Sequence, residues 1–378
     1  MPRIAVVTGT RPEAIKLAPV IQELGRQPDI RPLVCNTGQH EQLCGETLAY
    51  FGVRADAKLD VMRPNQSLAA LQSRLLTELD DFLTRFTPDG VIVQGDTMSA
   101  FCGALAAFYR RLPVFHVEAG LRSHDLGEPF PEEALRQMLA RITRLHFAPT
   151  EAARKALLAE NIAADAIHVT GNTVVDALGC LTAEALDGAR QRLASLVGDM
   201  ASGPLVLVTV HRRENHGPRL ERILRAVRLL SEHYPACRFL LPVHPNPNVG
   251  GAVRSALAGL GNVRLTEPLS YPEMVVVMRH AALALSDSGG IQEEAPSFGL
   301  PVLVLRYETE RHEGVELGLA RLVGADTETI VAEARAVLDS PQGRRTALTN
   351  PYGDGKASNR IVSLIRHSLQ EQDHGSQF

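Results

Sequence analysis

Ala281-Ala282-Leu283-Ala284-Leu285, followed by Ser286-Asp287-Ser288-Gly289-Gly290-Ile291-Gln292-Glu293-Glu294-Ala295-Pro296, reads as a buried strand, a turn and a short helix. The apolar run has the length and continuity of a parallel strand covered on both faces. Two glycines then turn the chain, and two glutamates stand in the first turns of the helix. Glycine lets a ligand approach the backbone, and the N–H groups at a helix start suit a phosphate. Carboxylates beside an anion are out of place unless one accepts hydrogen bonds from sugar hydroxyls. The stretch points to a nucleotide or nucleotide-sugar site; an ordinary strand–turn–helix connection explains the same residues equally well.

The same alternation extends in both directions. Upstream, residues 4–8 predict a strand that ends at Gly9-Thr10. A helix follows with Ile15, Leu17, Val20, Ile21 and Leu24 on its apolar face. Strands are expected at 31–36, 90–94, 113–117, 145–148 and 167–170, with helices at 39–51, 67–86, from Asp96-Thr97 to Tyr109, from about 131, and at 151–161. One helix over 172–196 leads to a second series. Its strands lie at 205–210, 237–243, 263–265, 283–286 and 302–305, and its helices include 218–234, 327–338 and 357–372. Two β/α series predict an α/β protein with two parallel-sheet domains, the boundary falling near Thr170-Gly171-Asn172. Doubly wound sheets bind ligands at the carboxyl ends of their strands, and Arg11, Asp96, Glu118, His211, His244 and Ser288 all follow strands.

Composition narrows the function. With 39 basic and 43 acidic residues, the net charge of −4 offers no footprint for nucleic acid. The five cysteines stand singly and predict reduced thiols in a cytoplasmic protein. The chain runs straight into its first strand, so no signal peptide is expected, and no apolar run reaches the ~18 residues of a membrane span. No HExxH or clustered Cys/His ligands occur, so no metal is expected, and no GxSxG elbow is present.

Residues 9–16 (GTRPEAIK) match neither the dinucleotide fingerprint nor a P-loop. They place Arg11 and Lys16 near a helix N-terminus, where the dipole disfavours cations by ~0.3–1 kcal/mol each. A bound anion would relieve that cost; alternatively Arg11 pairs with Glu13 and Lys16 is solvated. Asp96, Glu118 and Glu132 are candidate acids and bases. Asp96 could equally be a helix N-cap, and Glu132 a helix-start acid. Glu118 ends a buried strand before Ala-Gly, a costly place for a carboxylate without a task. Adjacent strands bring Asp96 and Glu118 near each other, where each is expected to perturb the other's pKa. His211, beside Arg212 and Arg213, is a candidate phosphate ligand. His244 sits in a proline-stiffened loop, where structure and function explain it equally.

The motifs 9–16 (GTRPEAIK), 95–97 (GDT), 116–122 (HVEAGLR), 130–133 (FPEE) with Arg136, 171–176 (GNTVVD), 211–214 (HRRE), 288–296 (SGGIQEEAP), 309–311 (TER) and 350–355 (NPYGDG) occur in one order. Together they resemble the bacterial non-hydrolysing UDP-N-acetylglucosamine 2-epimerases over about residues 4–366. The resemblance implies two Rossmann-like domains in a glycosyltransferase-B-like arrangement with an interdomain cleft. Residues 1–170 with 362–378 would form the N-terminal domain, and residues 171–361 the UDP-binding domain. It implies interconversion of UDP-GlcNAc and UDP-ManNAc for surface polysaccharide synthesis in the cytoplasm, by a homodimer needing no cofactor.

By resemblance, Asp96, Glu118, Glu132, His211 and Arg136 are catalytic. Arg11, Lys16, Leu269, Met274, Ser288, Gly289, Gly290, Glu294 and Arg311 join Asp96, Glu118 and His211 in binding substrate. Gln39, Gln42, Glu133, Arg212 and His244 match a second, activating site. Leu135, Met274, His312 and Asn65 depart from the family's usual residues. The chemistry expected is anti elimination of UDP to a 2-acetamidoglucal followed by re-addition. A C2 epimerase of a modified UDP-HexNAc and a UDP-sugar glycosyltransferase remain alternatives.

Overall fold

Short apolar runs bounded by turn residues build two separate all-parallel sheets. The structure, a computed structural model, describes residues 1–39, 41–198, 203–243, 247–340 and 350–375. In chain order the first series is β1 (Arg3–Thr8), α1 (Arg11–Arg26), β2 (Arg31–Asn36), α2 (Glu41–Tyr50), β3 (Ala57–Lys58), α3 (Leu68–Phe86), β4 (Gly90–Gln94), α4 (Met98–Tyr109), β5 (Val114–Val117), α5 (Glu132–Ile142), β6 (Leu145–Ala148), α6 (Glu151–Ala159), β7 (Ile167–Val169) and α7 (Thr173–Gly179). The second is α8 (Ala183–Val197), β8 (Leu205–Thr209), α9 (Pro218–His233), β9 (Arg238–Pro242), α10 (Pro247–Ala256), β10 (Val263–Thr266), α11 (Tyr271–His280), β11 (Leu283–Ser286), α12 (Gly289–Glu294), β12 (Val302–Val304), α13 (His312–Glu316), β13 (Ala320–Leu322) and α14 (Thr327–Leu338); α15 (Ala357–Gly375) closes the chain.

The seven-stranded sheet runs β3-β2-β1-β4-β5-β6-β7 and the six-stranded sheet β10-β9-β8-β11-β12-β13. Strand order therefore reverses between β1 and β4 in one sheet and between β8 and β11 in the other, the crevices where doubly wound sheets bind ligands. The central strands are buried throughout, as their unbroken apolar runs require. Leu71, Leu75, Leu79 and Phe82 of α3 share one core with Ala5, Val7, Val91 and Val93, while Val206, Val208, Phe239, Leu283 and Leu285 anchor the other.

The chain divides into two compact units, Met1–Cys180 with everything from Tyr352 onward, and Leu181–Pro351. The first unit extends past Thr170 and takes α15 from its first residue, for an identifiable reason. Asp176 in α7 accepts hydrogen bonds from Ala357 N, Ser358 N and Ser358 Oγ, capping α15 from a distant element. Asn172 N donates to Tyr352 O at 2.6 Å beside it.

Other differences from the sequence reading are local. The single helix expected over 172–196 is two, because Thr182 caps a new start by accepting from Ala185 N. Edge strands β3 and β13 and helix α13 are too short for periodicity to show.

Candidate functional site

In the first unit the site is built on the loops that follow β1, β4 and β5. Thr10 caps α1 and forms a capping box with Glu13. The Glu13 carboxylate is buried. It accepts from Gly9 N at 3.2 Å, Thr10 N at 2.8 Å, Thr10 Oγ1 at 2.7 Å and Thr97 Oγ1 at 2.8 Å. Burial outweighs these bonds and pushes its pKa up to about 7.

Thr97, not Asp96, is the N-cap of α4, accepting from Ala100 N. That leaves the Asp96 carboxylate to Arg136, whose Nε lies 2.7 Å away and whose Nη2 lies 2.6 Å away. Arg136 Nη1 also reaches Glu133 at 3.2 Å. Glu133 is fully buried and further accepts from Ser123 N and Gln137 Nε2. Burial pushes this carboxyl up, but the hydrogen bonds from Ser123 and Gln137 and the Arg136 charge hold it below its ordinary value.

Glu118 has φ of 62°, the left-handed region, which costs a non-glycine residue about 1–3 kcal/mol. Its carboxylate forms an ion pair with the buried Lys16 ammonium and accepts from Asn172 Nδ2 at 3.4 Å. Lys16 is therefore not solvated. Asp96 and Glu118 stand after adjacent strands as expected; Asp96 pairs with Arg136, which Glu133 shares, and Glu118 with Lys16.

Glu132 opens α5 and is half-buried. His116, in β5, donates from Nε2 to the Gly95 carbonyl at 2.8 Å; burial lowers its pKa to about 3, so the ring is neutral. Arg122, from the same motif as Glu118, is structural: it forms a buried pair with Glu160 at 2.6 and 3.0 Å. Gln39 accepts from Ser99 Oγ, which is itself hydrogen-bonded to Thr37 Oγ1.

In the second unit Asp287 organises the site. It is fully buried and accepts from His211 N at 3.0 Å, Arg212 N at 2.9 Å and Asn215 Nδ2 at 3.0 Å. Its other oxygen lies 3.6 Å from His211 Nε2. The loop after β8 is thus held by the residue that follows β11. Ser286 Oγ adds a bond with Thr209 Oγ1 and accepts from Ser288 N.

Beyond it runs an alternating chain of charges. Glu214 pairs with Arg306, Arg306 with Glu310, Glu310 with Arg311, and Arg311 with Glu293. Arg311 packs against Gly289: a Cβ there would stand 2.5 Å from the guanidinium carbon, which would have to shift. The same position at Gly290 is open, with nothing closer than 3.7 Å. The Arg212 pKa is lowered, first by burial and then by repulsion from Arg306 and Arg311, and its Nε is buried without a hydrogen-bond partner. Glu294 and Leu269 are buried, and Met274 is half-buried on α11.

His244 and the side chain of Gln42 lie outside the described residues. Among the described residues no group of His, Cys, Asp or Glu is placed to hold a metal, and no helix is long and apolar enough to cross a membrane. Asp287 and Glu293 carry no role in the motifs as sequence alone presents them. An aspartate immediately after a buried strand was the available signal.

The fold and the site define a class: an α/β enzyme of two Rossmann-like domains, with its polar groups at the points where strand order reverses. The family model for UDP-N-acetylglucosamine 2-epimerase matches residues 22–366. The UDP-N-acetylglucosamine 2-epimerase of Neisseria meningitidis is 42% identical over 369 residues, covering 96% of this chain and 99% of that protein. The enzyme of that name from Salmonella typhimurium is 43% identical over 371 residues, covering 96% and 98%. The crystal structure of the Neisseria meningitidis enzyme bound to UDP-GlcNAc superposes with a TM-score of 0.90 over 97% of this chain and all of the other. The Methanocaldococcus jannaschii enzyme in complex with UDP-GlcNAc and UDP gives 0.82 at 31% identity, covering 97% of this chain and 99% of that one. The chain belongs to the UDP-N-acetylglucosamine 2-epimerase family.

Proposed function

We propose that the protein interconverts UDP-GlcNAc and UDP-ManNAc by inverting C2 without releasing free sugar. The observation that carries this reading is the pair of carboxylates after β4 and β5, each paired with a cation, Asp96 with Arg136 and Glu118 with Lys16. The C2 hydrogen is not next to a ketone, so its direct removal would leave an unstabilised carbanion. If the C1–O bond to UDP breaks first or in concert, positive character at C1 acidifies C2–H. A carboxylate then takes the proton, the C1–C2 double bond forms, and UDP departs with the electron pair of the C1–O bond. Anti elimination gives 2-acetamidoglucal. Re-addition of UDP, with a proton delivered to the other face of C2, completes the inversion.

In this reading Asp96, Glu118 and Glu132 share the base, acid and cation-stabilising roles. Arg11, His211 and the backbone of residues 288–290 hold the departing diphosphate, where such donors contribute ~2.7–4 kcal/mol each. Glu294 takes the ribose, Leu269 and Met274 flank the uracil, and Arg311 completes the substrate side. The family likeness further supports a cytoplasmic homodimer supplying surface polysaccharide synthesis. It also supports activation by UDP-GlcNAc at a site that includes Gln39, Gln42, Glu133, Arg212 and His244.

Proton NMR in D2O tests the reaction. Both UDP-sugars gain deuterium at C2 as they interconvert; epimerisation without exchange would sink the elimination, and free ManNAc would mark a hydrolase. UDP release only on addition of an acceptor would mark a glycosyltransferase. Asp96→Asn and Glu118→Gln each lower turnover by about 100–10,000-fold, the range of general acid–base catalysis, while UDP affinity measured by calorimetry is retained.

A further inference from the structure

A capping box asks Glu13 only to reach back to the Thr10 backbone, which it does through Oε2. Its other oxygen, Oε1, accepts from Thr97 Oγ1 at 2.8 Å, across 84 residues of sequence. Thr97 lies in the loop after β4, and β4 neighbours β1 where the strand order reverses. One buried carboxylate thus joins the Gly9-Thr10 turn, which leads into Arg11, to the residue that adjoins Asp96. At 1% exposure, no solvent competes for those bonds.

The turn has little room to move. A Cβ on Gly9 would stand 2.2 Å from Thr37 Oγ1 and 2.4 Å from Ser99 Oγ, so the backbone is wedged against the loop after β2 and the start of α4. Asp96 is then restrained from two directions: its carboxylate by Arg136, its backbone neighbour by Glu13.

We propose that Glu13 is a positioning residue for the reaction, setting through Thr97 where Asp96 stands relative to Arg11. The inference rests on the roles given above to Asp96 and Arg11. A misplacement of about 1 Å at a reacting group costs up to about 100-fold in rate, which gives the proposal a measurable size.

The test uses the full chain, with kcat, KM, UDP affinity and thermal midpoint measured for the wild type, Glu13→Ala, Glu13→Gln, Thr97→Val and the Glu13→Ala/Thr97→Val double variant. Glu13→Ala lowers kcat by about 10–100-fold with UDP affinity retained. Glu13→Gln restores kcat, because its amide oxygen accepts from the backbone and its NH2 donates to Thr97. Thr97→Val also removes the cap on Ala100 N, so the double variant loses less than the product of the two single losses, because both changes remove the Glu13–Thr97 bond. An unchanged kcat in folded Glu13→Ala, or losses that multiply in the double variant, would overturn the proposal.

If Glu13→Ala does not fold, Thr97→Asp against Thr97→Ser decides, because both keep an acceptor for Ala100 N and only serine can donate to Glu13. A loss in Thr97→Asp that Thr97→Ser does not show supports the link, and equal rates overturn it. Absence of turnover in the wild type would fail the epimerase reading instead. The crystal structure of Glu13→Ala or Glu13→Gln then still reads the inference: Asp96 moves in the alanine variant and not in the glutamine variant, or the inference fails.

Discussion

The two points of strand-order reversal solve one problem from opposite sides. In the first unit the buried carboxylate comes from the helix after β1: Glu13 grips its own Gly9-Thr10 turn and reaches out to Thr97 after β4. In the second it comes from the loop after β11: Asp287 reaches back to the His211-Arg212 backbone after β8. Both supply an acceptor where parallel strands end and leave N–H groups to be satisfied. The difference lies in what each holds. Glu13 holds a two-residue turn and one hydroxyl, whereas Asp287 holds a longer loop that carries a histidine and an arginine. The reversal point determines where a ligand binds; the origin of the carboxylate determines which loop is rigid.

The largest break in this comparison comes from Asp287→Ala. It leaves the N–H groups of His211 and Arg212 without this acceptor and the Asn215 amide with only the Leu305 carbonyl, at about 1–3 kcal/mol for each unsatisfied N–H. The expected outcome is a lower thermal midpoint and weakened UDP binding together. Glu13→Ala is expected to lower kcat with UDP binding intact, so equal effects on UDP binding would erase the distinction between the two devices.

Glu13→Gln gives a smaller and pH-dependent effect. The Glu13 carboxyl ordinarily titrates near 4.5 and is pushed up to about 7 by burial. Between those values the folded protein keeps a proton that the unfolded chain has released. The stability from this group is complete below pH 4.5 and is lost as pH rises through 7. Relative to Glu13→Gln, the wild type loses about 3 kcal/mol over that window. Denaturant titrations of both proteins at several pH values check it, and parallel curves would refute the burial argument.

Gly289→Ala is the mildest of the four. Its Cβ displaces the Arg311 guanidinium, with a cost of about 1–3 kcal/mol typical of overpacking. KM for the UDP-sugar rises, and the corresponding change at the open Gly290 has the smaller effect.

Much of the scaffold was legible in the chain. Continuous apolar runs such as residues 90–94 and 283–286 have one physical use, as strands covered on both faces. Ser67 marks the start of α3, where its side chain accepts from Ala70 N. The candidate site was legible as positions after strands, not as contacts. Lys16 reads as an exposed cation until its partner Glu118, 102 residues away, is seen. Arg122 sits inside the most functional-looking motif and is a structural partner of Glu160. Asp96 resembles an N-cap until Thr97 takes that role and Arg136 takes the carboxylate.

Local chemistry by itself determined the elements, their alternation and the parallel sheets that alternation enforces, because apolar periodicity, caps and turn residues act over a few neighbouring positions. The order of the strands, the cation that each carboxylate meets, and the grip of Glu13 and Asp287 on neighbouring loops were decided only by the tertiary structure. Each of these is a charge or hydrogen-bond match between residues far apart in the chain, and burial gives such a match its strength by removing the water that would otherwise satisfy both partners.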